Sequence, residues 1–236
     1  MKNNIVQSIR EELVRLADEK TRLNYDRFFK EKVVYYGVKT SVVASIAKRY
    51  YKQIEPLGKA GIFSLCEELL KSNYSEEAFI ACEWSYRLRS EYEINDFGVF
   101  ERWLNDYIND WAKCDTFCNH TLGSFIDKYP DFIGKLKEWT QSENRWLKRA
   151  ASVTLIIPAR KGMFLSDIFE IADKLLTDKD DLVQKGYGWM LKDASIKHCH
   201  EIFNYIMAHK WQMPRTALRY AIERMPADLK KQAMEK

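Results

Sequence analysis

Apolar residues recur every three or four positions along most of the chain, which is the spacing of helices with one buried face. Such stripes predict helices near residues 3–18, 25–32, 41–54, 61–72, 75–92 and 99–110. A hydroxyl side chain can accept a hydrogen bond from the free amides of a helix N-terminus. We therefore expect Thr40 or Ser41 to cap the third of these helices and Ser75 to cap the fifth.

A repeated plan follows in the second half of the chain. Phe132, Phe169 and Phe203 each begin an amphipathic stretch, and 37 and 34 residues separate them. Each stretch leads through a polar turn (TQSEN, TDKDD or KWQMP) into a second helical stretch with Lys or Arg. Helix pairs with periods of 30 to 45 residues are typical of α-solenoids. The sequence thus predicts an all-α, α-α superhelix of HEAT-like repeats, a single domain over residues 1–236.

The segment DWAKCDTFCNH contains an acidic residue, Asp115, inside an apolar stripe. That stripe comprises Ile108, Trp111, Cys114, Cys118 and Leu122. Trp111 and Asp115 are four residues apart, so a helix places them on nearly the same side. A partly desolvated carboxylate needs a cation or hydrogen-bond donors. Arg149 lies 34 residues after Asp115, and Trp189 lies 40 after Arg149, so the repeat predicts that they are neighbours on one concave wall.

Composition and charge narrow the class of protein. Hydrophobic residues at 46% and charged residues at 31% are ordinary for a soluble protein. No apolar run reaches the roughly 18 residues of a membrane span, and the five scattered cysteines suggest no disulfide framework. Residues 1–110 hold 17 Lys/Arg against 18 Asp/Glu, whereas residues 111–236 hold 21 against 16. We therefore expect a cytoplasmic protein whose second half meets a polyanion in a concave basic groove.

Three motifs carry a resemblance to a known family. DWAKCD, NRWLKRAA and KGYGWMLKDA, in this order and spacing, resemble the AlkD-like DNA alkylation-repair glycosylases with HEAT-like repeats. The likeness runs from Phe28, at the start of FFKEKVVYYGVKTS, to Ile222. It implies an enzyme that removes positively charged N3- or N7-alkylated purines from double-stranded DNA. It also implies that the enzyme uses no metal or cofactor and does not swing the base into a protein pocket.

The same resemblance implies roles for individual residues. The family's catalytic aspartate falls on Asp115, its two groove tryptophans on Trp111 and Trp189, and its arginine on Arg149. A family tyrosine falls on Phe28, which lacks the hydroxyl group. The basic residues of the second helices are further candidates for DNA contacts; they are Lys148, Lys185, Lys192, Arg215 and Arg219. We expect a monomer associated with the nucleoid.

The residues suit this chemistry on physical grounds. An alkylated purine is cationic and leaves readily, so the enzyme has to stabilise the oxocarbenium-like sugar and deliver water. A fixed carboxylate can do both. Indole faces attract cations by roughly 0.5–2 kcal/mol per contact, and an arginine can bind a phosphate with two parallel hydrogen bonds.

The same residues also allow purely structural roles and non-catalytic functions. Trp111 and Asp115 could be core residues with a structural ion pair to Arg149. Cys114, Cys118 and His120 do not make a zinc site without a fourth ligand, and the two cysteines are expected to pack as small apolar residues. Two other functions compete with catalysis: a non-catalytic protein that binds DNA structures, and a protein-binding scaffold.

Overall fold

The computed structural model describes residues 2–235, with side chains for residues 5–27 and 29–235. It divides into two compact units, Met1–Phe117 (the N-terminal unit) and Cys118–Lys236 (the C-terminal unit). Within the described residues the regular structure is helical, apart from an isolated bridge between Val34 and Tyr74. The predicted all-α helical-repeat class is confirmed. The single domain and the concave groove stay predictions.

The described residues of the N-terminal unit, 2–117, form seven α-helices. They are α1 (Lys2–Leu16), α2 (Glu19–Phe28), α3 (Thr40–Ile54), α4 (Gly58–Lys71), α5 (Ser75–Arg87), α6 (Asp96–Tyr107) and α7 (Trp111–Phe117). Helix α5 lies at the centre of this unit, because it packs against α3, α4 and α7. The fully buried Trp84 of α5 donates its indole N–H to the carbonyl of Ala47 in α3, at 2.9 Å. A buried indole thus satisfies its donor while it fills the core.

Buried aromatic rings join α6 to α7. The ring of Phe117 lies 5.9 Å from that of Phe100 and 6.2 Å from that of Trp103, between centroids. All three side chains are at most 1% exposed. Edge-on and tilted ring pairs at these distances are favourable beyond the area that they bury. The last residue of the short helix α7 is therefore held in the core.

The expected hydroxyl caps of α3 and α5 are wrong. Thr40 and Ser75 are the first residues of their helices, and neither helix has a side-chain cap. Two acidic residues, Glu76 and Glu77, instead occupy the first turn of α5, where the helix dipole favours negative charge. Helix α2 begins earlier than its apolar stripe predicts, because Asp18 accepts a hydrogen bond from the Thr21 amide at 2.8 Å.

The C-terminal unit begins with a π-helical turn, Cys118–Leu122. Its α-helices are α8 (Gly123–Lys128), α9 (Ile133–Trp139), α10 (Arg145–Val153), α11 (Ile156–Arg160), α12 (Leu165–Leu175), α13 (Asp181–Ala194), α14 (Cys199–His209), α15 (Arg215–Ala221) and α16 (Ala227–Met234). The pairs α9/α10, α12/α13 and α14/α15 are the three predicted repeats. First helix α9 packs on first helix α12, and second helices stack in the order α10, α13, α15.

Glycine allows the second helices to approach closely. A Cβ atom added at Gly188 of α13 would lie 2.7 Å from the Ala217 carbonyl oxygen of α15. On the side facing α10, a Cβ at Gly186 would lie 2.9 Å from Ser152 Oγ. Real Cβ atoms do not come this close, so the spacing between these helices depends on the missing side chains.

Candidate functional site

Helix α7 presents Trp111 and Asp115 on one side. Both side chains are half-buried, whereas Cys114 and Phe117 are buried in the unit's core. The helix begins directly after Asp110, whose Oδ1 accepts a hydrogen bond from the Lys113 amide at 2.9 Å. Since four residues advance a helix by about 400°, the indole and the carboxylate lie one turn apart on the open side. This placement suits a ligand-facing pair.

The opposite side of α7 is anchored by a buried lysine. The Lys113 side chain is 1% exposed, and its Nζ donates to the Asn73 carbonyl, to Asn73 Oδ1 and to Asn109 Oδ1, each at 2.9 Å. Asp110 Oδ2 lies 3.2 Å from the same Nζ. Burial lowers the pKa of Lys113 because desolvation outweighs the attraction of Asp110. Through its hydrogen bonds to Asn73, the ammonium group ties α7 to the turn before α5.

Asn73 has the geometry that this anchor requires. Its φ is 65°, in the left-handed region that asparagine tolerates better than most residues. Its Oδ1 also accepts a hydrogen bond from Asn109 Nδ2, at 2.7 Å. The turn between α4 and α5 is thus shaped so that backbone and side-chain oxygens meet Lys113 Nζ together.

An aromatic ring from the α2–α3 loop (residues 29–39) contacts Trp111. The centroids of the Phe29 and Trp111 rings are 5.4 Å apart, with planes tilted by 36°. Tyr25 meets Phe29 edge-on at 6.4 Å and donates its hydroxyl to the Val38 carbonyl at 3.1 Å. The side chain of Phe28, the residue expected near the site, lies outside the described residues. Phe29 was not singled out in the sequence, because the family resemblance placed the tyrosine position on the adjacent Phe28.

Two buried carboxylates hold the α2–α3 loop against the start of α5. The Glu76 carboxylate accepts hydrogen bonds from the amides of Tyr36, Gly37 and Val38 at 3.1, 2.9 and 3.0 Å. Glu77 accepts from the Tyr36 hydroxyl at 2.7 Å, and burial raises the pKa of that phenol. The Gly37 φ of 95° requires glycine at the turn. These bonds give the loop, and hence Phe29, a defined place.

In the C-terminal unit, the predicted phosphate-binding arginine is buried. Arg149 is 4% exposed, and its guanidinium donates to the Leu182 carbonyl at the start of α13. Trp189 is half-buried, and the ammonium group of Lys192 lies 5.8 Å from its ring centroid. Little of Arg149 is open to a phosphate, so this contact stays a prediction and would require the side chain to move.

All three predicted DNA-binding lysines have acidic partners. Lys148 pairs with Asp178 at 3.0 Å, Lys185 with Asp181 at 2.8 Å and Lys192 with Glu223 at 3.1 Å. Arg215 and Arg219 are exposed one turn apart on α15, and neither makes an ion pair with another described residue. These two arginines are therefore the most accessible of the predicted phosphate contacts.

A buried carboxylate in α13 is a second feature that the sequence did not reveal. Asp193 is fully buried, and its Oδ1 lies 3.2 Å from Arg160 Nε and 2.9 Å from Arg224 Nη1. Arg224, which follows Arg215 and Arg219 in the chain, thus has a structural partner. Such a pairing links three elements distant in sequence, and no local pattern predicts it.

The cysteines pack as the sequence predicts. Cys114 and Cys118 are fully buried. Across the part of the chain that the structure describes, no three His, Cys, Asp or Glu side chains are grouped to hold a metal ion. Likewise, none of the described helices is long and apolar enough to span a bilayer.

Comparisons with known proteins show which family the chain belongs to. The family model described as DNA alkylation repair enzyme matches residues 9–225. The chain belongs to the DNA alkylation repair enzyme family. Its fold is also that of a predicted DNA alkylation repair enzyme from Enterococcus faecalis, with a TM-score of 0.80 at 14% identity. That likeness covers 89% of this chain and 97% of the other. A search of curated proteins found no match.

The family match includes all the residues that the sequence singled out for the site. Trp111 and Asp115 belong to the N-terminal unit, whereas Arg149 and Trp189 belong to the C-terminal unit. The structure thus brings the first two together on α7. The predicted meeting of all four residues stays a prediction.

Proposed function

We propose that this member of the DNA alkylation repair enzyme family is a DNA glycosylase that releases cationic N3- or N7-alkylated purines from double-stranded DNA. The observation that carries the proposal is the open side of α7. A half-buried carboxylate, Asp115, lies one turn from a half-buried indole, Trp111, and the helix that bears them is anchored from behind.

In the proposed reaction, water replaces the alkylated base at C1′ of the deoxyribose. The bond between C1′ and the purine nitrogen breaks, and its electron pair neutralises the cationic base as it leaves. The Asp115 carboxylate faces the positive charge that grows on the sugar and orients the water, from which it can accept a proton. The products are a free alkylpurine and an abasic site.

The aromatic residues would bind the lesion. The face of Trp111 can attract the cationic base or the polarised C–H groups of the sugar. Phe29 packs against Trp111 at 5.4 Å between centroids and limits the orientations that the indole can adopt. From its family motif, Trp189 is proposed as the second indole, and Arg149 as a contact to the DNA backbone.

The test is release of free base from duplex DNA that carries 7-methylguanine, quantified by mass spectrometry under single-turnover conditions. Asp115→Asn removes the charge and keeps the shape, so we expect the rate to fall about 100-fold or more. Asp106→Asn is the matched control, because Asp106 is an exposed acid of α6 in the same unit. Full activity in Asp115→Asn would refute the assigned role.

A DNA-binding titration at several salt concentrations, run beside the base-release assay, separates the competing functions. Salt-sensitive binding to DNA without base release would favour a non-catalytic DNA-binding protein. Failure to bind DNA at all would favour a protein-binding scaffold.

A further inference from the structure

The geometry points to Lys113 as the positioning residue of the site: its buried ammonium group sets the rotation of α7 and thereby aims Trp111 and Asp115. This inference rests on the proposed function for its catalytic consequence, but not for its structural part. Residues 73–77 extend the same control to the α2–α3 loop, so both parts of the site in the N-terminal unit share one support.

Lys113 lies on the opposite side of α7 from Trp111 and Asp115. It lies two residues from both Trp111 and Asp115, which is a rotation of about 200° on an α-helix. A group fixed behind the helix at this angle directs its two neighbours to the front. The 1% exposure of the Lys113 side chain and the partial exposure of the other two agree with that arrangement.

The hydrogen bonds of Lys113 Nζ are directional. Apolar contacts tolerate sliding and rotation, whereas Lys113 Nζ is held by three oxygens at 2.9 Å and by Asp110 Oδ2 at 3.2 Å. A buried ion pair is often no more stabilising than a well-packed hydrophobic side chain of the same size. Stability alone therefore does not require a lysine at this position. The bonds do specify one orientation of α7, because the Asn73 carbonyl oxygen belongs to the backbone of another turn.

The position of the Asp115 carboxylate is sensitive to the rotation of α7. The buried side chains of Cys114 and Phe117 also resist rotation of α7, but their apolar contacts have no preferred direction, so the bonds of Lys113 define the angle of the helix more sharply. If the Asp115 carboxylate lies about 5 Å from the helix axis, a rotation of about 20° moves it by about 1.7 Å. A misplacement of about 1 Å can reduce a rate by about 100-fold.

The residues that follow Asn73 also bind the α2–α3 loop. Asn73 binds Lys113, and Tyr74 stacks on Tyr36 with ring centroids 4.1 Å apart. The Ser75 amide donates to the Val34 carbonyl at 2.9 Å, and Glu76 accepts from three loop amides. With Glu77, which accepts a hydrogen bond from the Tyr36 hydroxyl, five consecutive residues thus support both the helix that bears Trp111 and the loop that bears its partner ring.

The experiment compares Lys113→Met with Lys71→Met. Methionine fills a similar volume without the charge, and Lys71 is an exposed lysine of α4 in the same unit. The protein is labelled with 5-fluorotryptophan, and the ¹⁹F resonance of Trp111 is assigned with Trp111→Phe. We expect Lys113→Met to shift or broaden that resonance and to speed amide exchange in α7. Lys71→Met should match the parent protein in both measurements.

Kinetics supply a readout that a merely structural role would not move. We expect Lys113→Met to lower kcat for base release by about 10- to 100-fold with little change in KM, because DNA binding persists while the carboxylate is misplaced. Asn73→Gly keeps the backbone carbonyl and suits the left-handed φ but removes the side-chain acceptor. It should show the same changes to a smaller degree, and it serves as the test if Lys113→Met does not fold.

An unchanged Trp111 resonance and unchanged α7 exchange in these variants would overturn the inference. A loss of kcat equal to the loss of folded protein would do the same. The NMR and exchange readouts need no base release. If the parent protein released no alkylpurine, the proposed function would fail while the positioning role would still be decided by the spectra.

Discussion

Gly188→Ala tests whether close packing of second helices supports the C-terminal unit. The added Cβ would lie 2.7 Å from the Ala217 carbonyl oxygen and 2.8 Å from Tyr220 Cβ. The first neighbour is backbone, so it cannot rotate away, and α13 and α15 have to separate. Overpacking of this kind costs about 1–3 kcal/mol, whereas alanine gains about 1 kcal/mol over glycine in a helix interior. With the cost at its upper end, we expect a net loss of about 2 kcal/mol.

Gly98→Ala is the matched control, because its Cβ would meet no atom within 4 Å and Gly98 is exposed in α6. We expect a gain of about 0.5–1 kcal/mol there. The assay is urea unfolding followed by circular dichroism, with hydrogen exchange to assign the change to α13 and α15. The two variants should therefore shift stability in opposite directions. Gly188→Ala as stable as the parent would refute the packing argument.

Two other predictions follow from charged groups. Arg102 holds the pKa of Glu67 at about 2, below its ordinary 4.5, so this carboxylate contributes stability above pH 4.5 that is lost as the pH falls towards 2. Glu67→Gln should lower the free energy of unfolding by about 1–2 kcal/mol at pH 7 after allowance for solvent screening, and a deficit that persists undiminished at pH 2 would contradict the ion-pair account. Arg215→Gln and Arg219→Gln should each reduce the slope of log K against log salt for DNA binding by about 0.9. The control, Lys135→Gln on α9, should leave the slope unchanged. Equal slopes in all variants would exclude these phosphate contacts.

The sequence alone was sufficient to predict the all-α class and the three helix pairs of the second half. The spacing of Phe132, Phe169 and Phe203 predicts three helix pairs, and the structure confirms them. The one-turn separation of Trp111 and Asp115 was equally readable. These features depend on the period of a helix, which is a local property of the chain.

Helix starts were predicted less well. Thr40 and Ser75 looked like caps because a hydroxyl there can bind free amides, yet neither does so. At α5, the chain that precedes the helix is held instead by the Ser75 amide on the Val34 carbonyl. A contact made across 41 residues thus replaced the local one.

Only the tertiary structure determined the partners of the buried charges. Lys113 reads as a surface lysine, and Glu76 reads as an ordinary first-turn acid. Lys113 meets Asn73 across 40 residues, and Glu76 meets the amides near Gly37 across 39. A charge can be buried only where distant groups compensate its desolvation, and helical periodicity carries no information about which distant groups those are. The direction in which α7 presents Asp115 therefore depends on packing that local sequence does not encode.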